Sequence, residues 1–285
     1  MDDLFAKRMS DRDFERVVRL VEDSVGIQLP PHKRSMVELR LARRARILGL
    51  PDLDAYCAFV FDETGATVEQ VSLIDAVTTN KTDFFREAEH FDLLIKQVVP
   101  ALRSLEPDIG RTRPLRVWSA GCATGEEPYS IAMVLSDYAL KNPPFDFVVR
   151  ATDVSTSALR HGVRAVYPEE RVCSVPVELR RRFLLRNKDH RLGLVRIAPE
   201  IRERVRFSRH NLFTGTPAMG EVFDVIFCRN VIIYFRHETQ IKVLTQMARL
   251  LARGGHLFVG HSETLHGMPL PLERVGTTLY RKVGD

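Results

Sequence analysis

Apolar residues recur at Phe14, Val17, Val18, Val21 and Val25, the spacing of one helical face, behind a Ser10 and Asp13 pair that reads as a helix start. Gly26 would end that helix. Pro30 and Pro31 interrupt the chain, and a second helix is predicted from about His32 to Leu48, stopped by Gly49 and Pro51. At about 100° per residue, Lys33, Arg40, Arg43 and Arg44 fall on one side of it, and Val37, Leu41, Ala45 and Leu48 on another. One face is basic and the other is expected to pack. Helical spacing continues in LDAYCAFVF, VEQVSLIDAV and FREAEHFDLLIKQVVPALRSL, with no strand signal before about residue 114. The first third is therefore expected to be all-helical.

Beyond EPDIGRTRP, Glu106 to Pro114, the periodicity changes. LRVWSAG, DFVVRATD, RVRFSRHNL, FDVIFCRNVIIYF, GHLFVGHSE and TTLYRKV are short β-branched and aromatic runs, separated in part by helical patterns such as EEPYSIAMVLSDYAL and HETQIKVLTQMARLLARGG. Such alternation predicts an α/β fold with a mainly parallel sheet covered by helices. The last two runs are too close for a crossover helix, which predicts an antiparallel strand at the sheet edge. The long stretch from Tyr167 to Arg204 predicts a helix and a small β insertion around 183–206. The expected organisation is a helical N-terminal domain with the basic helix over 1–80, a helix and linker over 81–113, and a ligand-binding α/β domain over 114–285.

Composition adds bounds to this picture. A chain of 285 residues can bury a core without metals or disulfides, and Lys plus Arg exceed Asp plus Glu by only 42 to 37, so the placement of charge matters more than its sum. Cys57, Cys122, Cys173 and Cys228 form no C-x-x-C pair; free thiols and no metal site are expected. The opening MDDLFAKRMS has neither an apolar core nor a cleavage site, and no run approaches the roughly 20 apolar residues of a bilayer span. A cytoplasmic protein with no membrane insertion is expected.

In an open α/β sheet, ligands bind beyond the carboxyl ends of the strands. After the first strand comes Gly121-Cys-Ala-Thr-Gly125, whose glycines allow a sharp bend and close approach to a ligand, and then Glu126-Glu127-Pro128 opens a helix. Two carboxylates at a helix N-terminus do not suit a pyrophosphate, which that terminus would otherwise receive. They suit a cationic group such as the ammonium and sulfonium of S-adenosylmethionine, although either acid could serve only to complement the helix dipole. The turn also departs from G-x-G-x-x-G, which argues against a nicotinamide-dependent oxidoreductase.

Asp153 follows the second strand, where an acid can accept from both ribose hydroxyls; helix capping is its other reading. Asn211 and Leu212 end the third strand, where an amide and an apolar side chain can read and cover an adenine, or simply form a turn. Cys228-Arg229-Asn230 follows the fourth. The Asn/Asp-Pro-Pro-aromatic sequence common in amino-group methylation is absent there, and an arginine suits an acidic substrate or a cofactor carboxylate.

At these residues the chain resembles the CheR-type chemoreceptor methyltransferases. The resemblance runs in order through GIQLPPHKRSMVELRLARRARILGL, TTNKTDFFRE, WSAGCATGEEPYSIAM, ATDVS, HNL, FDVIFCRNVIIYF and GHLFVGHSE, nearly the whole chain. It implies a class I S-adenosylmethionine-dependent methyltransferase fold, Rossmann-like, preceded by an all-helical N-terminal domain. By position it implies cofactor-binding roles for Asn80, Thr82, Arg86, Glu127, Asp153, Asn211, Leu212, Arg229 and Asn230. Only the resemblance favours Glu127 over Glu126.

The resemblance further implies protein-glutamate O-methyltransferase activity on chemotaxis receptors, with S-adenosylhomocysteine as the product. Lys33, Arg40, Arg43 and Arg44 then become a substrate-docking face for the acidic cytoplasmic helices of methyl-accepting receptors. No interleaved aromatics or nucleic-acid motif accompany this face, so nucleic acid is not an expected partner. Arg86 and Tyr234 are the candidate catalytic residues, orienting the acceptor carboxylate. Relatives tethered to a receptor's C-terminal peptide carry a glycine-rich turn in the β insertion; here it reads Leu185-Arg-Asn-Lys-Asp-His190, which argues against a tether. A monomer is expected. The same fold acting on another protein or small acid is the alternative, and a non-catalytic cofactor-binding module is disfavoured by the completeness of the strand-end residues.

Overall fold

The computed structural model describes residues 8–62, 66–215 and 221–284, with the backbone alone at Ala66, Thr67 and His190. The first seven residues of MDDLFAKRMS, and the His190 side chain of the insertion, lie outside the described residues. The chain divides into two compact units, Met1–Thr79 with Tyr234–Arg236, and Asn80–Ile233 with His237–Asp285.

The first unit is helical: α1 (Asp11–Val25), α2 (Arg34–Ile47), α3 (Leu53–Val60) and α4 (Ala66–Val77). Ser10 caps α1 by accepting the Asp13 N–H at 3.1 Å, and Gly26 closes it in the left-handed region at φ 71. Phe14, Val17, Val21 and Val25 form its buried stripe. In α2, Val37, Leu41, Ala42 and Ala45 are buried. Leu48, expected to pack with them, is instead exposed, because the helix ends at Ile47 and the chain turns away at Gly49.

The basic face of α2 needs a larger correction. Arg44 is held by Glu69 through two bonds of 2.6 and 2.8 Å, and the buried Tyr56 hydroxyl donates to the same carboxylate at 2.9 Å. Arg40 donates to the carbonyls of Ala76, Val77 and Thr78 at 3.3, 3.0 and 2.7 Å, covering the end of α4 where unpaired carbonyls attract a cation. Lys33 is half-buried, its Nζ 5.1 Å from the Tyr234 ring centroid. Arg43 alone of the four is exposed. The helical wheel separates basic from apolar positions but cannot show that α4 brings an acid and free carbonyls to the basic side.

The second unit opens with α5 (Glu89–Leu93), a π-helical stretch over Leu94–Val98 and α6 (Val99–Leu105). Phe91, Leu94, Val98, Val99 and Leu102 join this unit's core, so the helix read as the end of an all-helical first third belongs with the sheet. The order then runs β1 (Leu115–Ala120), α7 (Glu126–Lys141), β2 (Phe147–Asp153), α8 (Thr156–Arg164), β3 (Val166–Pro168), α9 (Val177–Phe183), β4 (Leu184–Arg186), β5 (Leu194–Ile197) and α10 (Pro199–Arg202). It ends with β6 (Val205–Arg209), β7 (Phe223–Cys228), α11 (His237–Leu250), β8 (Leu251–Val259), β9 (Leu272–Arg274) and β10 (Leu279–Lys282).

The main sheet has the order β6-β2-β1-β7-β8-β10-β9. Its first five strands are parallel; β10 runs antiparallel to β8, and β9 antiparallel to β10. The central β7 is buried at all six positions, as a run that is apolar at all but one of them requires. The exception, Asp224, receives Arg113 through bonds of 2.9 Å, and Arg113 also meets Glu106 at 2.7 Å, tying the connecting segment to the start of β7. The small sheet has the order β3-β5-β4 and begins at Val166, earlier than the sequence pattern suggests, while β6 rejoins the main sheet.

Candidate active site

Register brings the strand ends level. Ala120 pairs with Thr152, Asp153 with Arg209, Ser119 with Phe227 and Cys228 with Val259, so Gly121, Asp153, Asn211, Arg229 and Gly260 all leave the sheet at its carboxyl edge. The turn after β1 bends sharply, with Gly121 at φ 77. A Cβ there would stand 2.5 Å from Val231 Cγ2, so this turn and the chain leaving β7 approach too closely for any side chain.

The adjacent glutamates separate. Glu126, 1% exposed, turns to Arg171 at 2.6 Å and accepts the Thr124 hydroxyl. Glu127 turns to the strand ends, accepting the Ser119 hydroxyl at 2.7 Å and an Arg229 N–H at 3.3 Å. Burial pushes the Glu127 carboxyl above the usual carboxylate range, against the pull of Arg229 and Ser119. A half-buried acid of this kind gains by meeting a cation.

Arg229 is itself buried. Its Nη2 reaches Glu87 Oε2 at 3.0 Å and donates to the Arg86 carbonyl, while its Nε is buried with no hydrogen-bond partner. An unpaired guanidinium N–H is costly unless a ligand acceptor completes it. Burial acts to raise Glu87, but the Arg229 charge and hydrogen bond outweigh it and hold the carboxyl below its ordinary value. Glu87, His90 and His261 also bring potential ligand atoms within 4.8 Å of one another. The Arg229 cation on Glu87 opposes a metal ion there, and His90 is anchored through Nε2 to Thr278 Oγ1 at 2.6 Å.

Asp153 is 8% exposed and accepts the N–H of Ala123 and of Ser155, both at 2.8 Å. The cap of α8 is Ser155, which accepts from Ala158; Asp153 is therefore not that helix's N-cap. Asn80 Nδ2 lies 3.4 Å from Ser155 Oγ, and the Thr82 carbonyl accepts from Arg171. Asn211 Oδ1 accepts the Phe213 N–H in a tight turn, with Leu212 buried beside it. Asn230 stands at φ 58 directly after Arg229. Arg86 is half-buried; its guanidinium donates to the Lys81 carbonyl at 3.4 Å and has no carboxylate partner among the described residues.

Tyr234 groups with the helical unit, where its carbonyl accepts the Gln28 N–H at 2.9 Å. Sequence reasoning passed over Glu87, Ser119, Arg171 and Glu263. Glu87 and Glu263 close the motifs TTNKTDFFRE and GHLFVGHSE, and their position beside chemistry-bearing residues was the available signal.

Two family models cover this chain. Residues 12–78 match the CheR methyltransferase all-alpha domain, and residues 80–281 match the CheR methyltransferase SAM binding domain. The chain belongs to the CheR methyltransferase family. It is similar to the chemotaxis protein methyltransferase of Klebsiella aerogenes, 39% identical over 95% of this chain and 90% of that one. Chemotaxis protein methyltransferase 2 of Pseudomonas aeruginosa is also 39% identical, over 94% and 92% of the two chains. The chemotaxis protein methyltransferase of Borreliella burgdorferi is 34% identical, over 95% and 94%.

This CheR-family enzyme uses S-adenosylmethionine, and its strand ends fit that group. The unpartnered Nε of Arg229 and the guanidinium of Arg86 suit a carboxylate, while half-buried Glu127 suits an ammonium.

Proposed function

We propose that this methyltransferase esterifies glutamate side chains on the cytoplasmic helices of chemotaxis receptors, with its cofactor held at the carboxyl edge of the sheet by Asn80, Thr82, Arg86, Glu127, Asp153, Asn211, Leu212, Arg229 and Asn230. The Glu127–Arg229–Glu87 cluster carries this reading, because it sets two half-buried acids around a buried cation with one guanidinium N–H unpaired. When bound, S-adenosylmethionine supplies a methyl group activated by positive sulfur.

The protein's part is to bind, align and exclude water. Glu127 faces the amino group and Arg229 the carboxylate of the cofactor's amino-acid end, Asp153 the ribose, and Asn211 with Leu212 the adenine. An exposed acceptor glutamate, with an ordinary pKa near 4.3, is ionised at neutral pH, so no general base is needed. Arg86 orients that carboxylate by charge, with Tyr234 as the second candidate. Proximity of this kind contributes several kcal/mol.

Receptor docking falls to the basic side of α2, with Lys33, Arg40, Arg43 and Arg44, of which Arg43 is exposed and the other three half-buried. Their charge raises the rate of encounter with acidic helices, as a monomer acting in the cytoplasm. No described helix is long and apolar enough to cross a membrane. Transfer of labelled methyl groups to a receptor cytoplasmic fragment tests the assignment: release of the label as methanol in alkali establishes an ester, and an alkali-stable label refutes it.

A further inference from the structure

We infer that Glu263 is a positioning residue for the cofactor site, acting through the backbone of Asn230, Val231 and Ile232; the inference rests on the reading of Arg229 and Asn230 as cofactor-binding. Glu263 lies in the segment after β8, outside every residue assigned to the site from sequence. It is 6% exposed. Its Oε2 accepts the N–H groups of Asn230 at 2.8 Å and Gly260 at 2.7 Å, and its Oε1 those of Val231 at 2.9 Å and Ile232 at 3.0 Å. No cation pairs with it among the described residues, so four backbone donors alone compensate a buried carboxylate.

The chain leaving β7 shows why such a device is needed. Asn230 sits in the left-handed region at φ 58, a conformation that asparagine adopts more readily than most residues with a side chain and that turns the backbone sharply after Arg229. The three successive N–H groups that follow Arg229 precede or open the 3-10 turn Ile232–Tyr234, so they have no partners within a helix. Glu263 satisfies all three with charge-assisted bonds.

The fit is close on both flanks. A Cβ at Gly260 would stand 2.6 Å from Asn230 Nδ2 and 3.0 Å from its backbone N, and one at Gly121 would meet Val231. The segment is thus held between the turn after β1 and the end of β8, with Glu263 as its polar anchor. Arg229, the residue immediately before the anchored N–H groups, is the one whose guanidinium meets Glu127 and Glu87 and whose Nε has no hydrogen-bond partner. Loosening the anchor misplaces Arg229 and Asn230 without removing either.

Calorimetric titration of the full chain with S-adenosylmethionine, beside thermal unfolding, tests this. Glu263→Gln keeps the size but sets an NH₂ against two of the donors; Glu263→Asp keeps the charge with a shorter reach. The dissociation constant is expected to rise on the order of tenfold or more in Glu263→Gln, with Glu263→Asp intermediate and one site per chain retained in both. In kinetics, KM for the cofactor should rise more than kcat falls. A merely structural role would lower the melting temperature and the number of active sites while leaving the dissociation constant of the remaining sites unchanged; that result overturns the inference. If Glu263→Gln does not fold, Glu263→Asp decides by the same criterion. Failure of the wild-type chain to bind the cofactor would instead overturn the underlying reading of the site.

Discussion

Arg229 Nη1 lies 3.3 Å from Glu127 Oε2, so the cation that follows β7 and the acid that opens α7 hold each other at the carboxyl edge of the sheet. Ser119 and Glu87 complete the arrangement from two further segments. The two sides of the pair are not equivalent, because Arg229 keeps Glu87 if Glu127 is lost, whereas both acids lose their cation if Arg229 is lost.

Glu127→Gln should therefore weaken cofactor binding by on the order of tenfold or more with little change in melting temperature. Arg229→Met should abolish binding and also destabilise the fold by about 3 kcal/mol, since it leaves two half-buried carboxylates without their cation. Titration calorimetry and urea unfolding of the two variants separate these effects. Equal stability losses in both would contradict the asymmetry.

On α2, the interior arginine and the exposed one should behave oppositely. Arg44→Met removes the partner of buried Glu69 and should cost about 3 kcal/mol of stability in the helical unit. Arg43→Glu should leave unfolding unchanged but lower kcat/KM for the receptor, with the deficit shrinking as salt is added. A receptor-binding defect in Arg43→Glu that ignores ionic strength would remove the electrostatic role.

Acid should weaken the fold through two buried histidines. Burial, with a smaller contribution from Arg229, lowers His90 to about 4, and burial with Arg281 lowers His256 to about 4. Both stay neutral in the folded chain while the unfolded chain takes up protons near pH 6.5, so their stabilisation is complete above that value and is lost progressively down to about pH 4. Between about pH 7.5 and pH 5 each should contribute a loss of roughly 2 kcal/mol. Urea unfolding across that window, with His256→Gln as the comparison, should show a shallower pH dependence in the variant.

We propose that this protein docks on its receptor without a C-terminal peptide tether, because the insertion reads Leu185-Arg-Asn-Lys-Asp-His190 in place of a glycine-rich turn. A receptor C-terminal peptide should show no saturable binding in a fluorescence titration that detects low-micromolar affinity. Binding at that level would refute direct docking as the sole route.

The fold was legible where one periodicity dominates. Phe14, Val17, Val21 and Val25 mark α1, and the run FDVIFC, apolar apart from Asp224, marks a central strand. What sequence could not show depends on partners distant along the chain. Arg40 and Arg44 look like a solvated face until Thr78 and Glu69 are set against them. Glu126 and Glu127 are indistinguishable until Arg171 and Arg229 take one each. Phe91 and Leu102 read as a helix and linker between two domains because an apolar stripe does not say whether a helix or a sheet will cover it. Glu263 could be noticed at the end of GHLFVGHSE, but its role could not be read there, because it binds backbone and backbone donors leave no residue pattern.

The most direct test of glutamate esterification is peptide mapping of a receptor signalling domain after incubation with this enzyme and S-adenosylmethionine. The expected result is one added methyl mass on individual glutamate side chains, removed by mild alkali and absent when Arg229→Met replaces the wild-type enzyme. An alkali-stable methyl on nitrogen or carbon, or an unmodified receptor beside an enzyme that binds the cofactor, would contradict it.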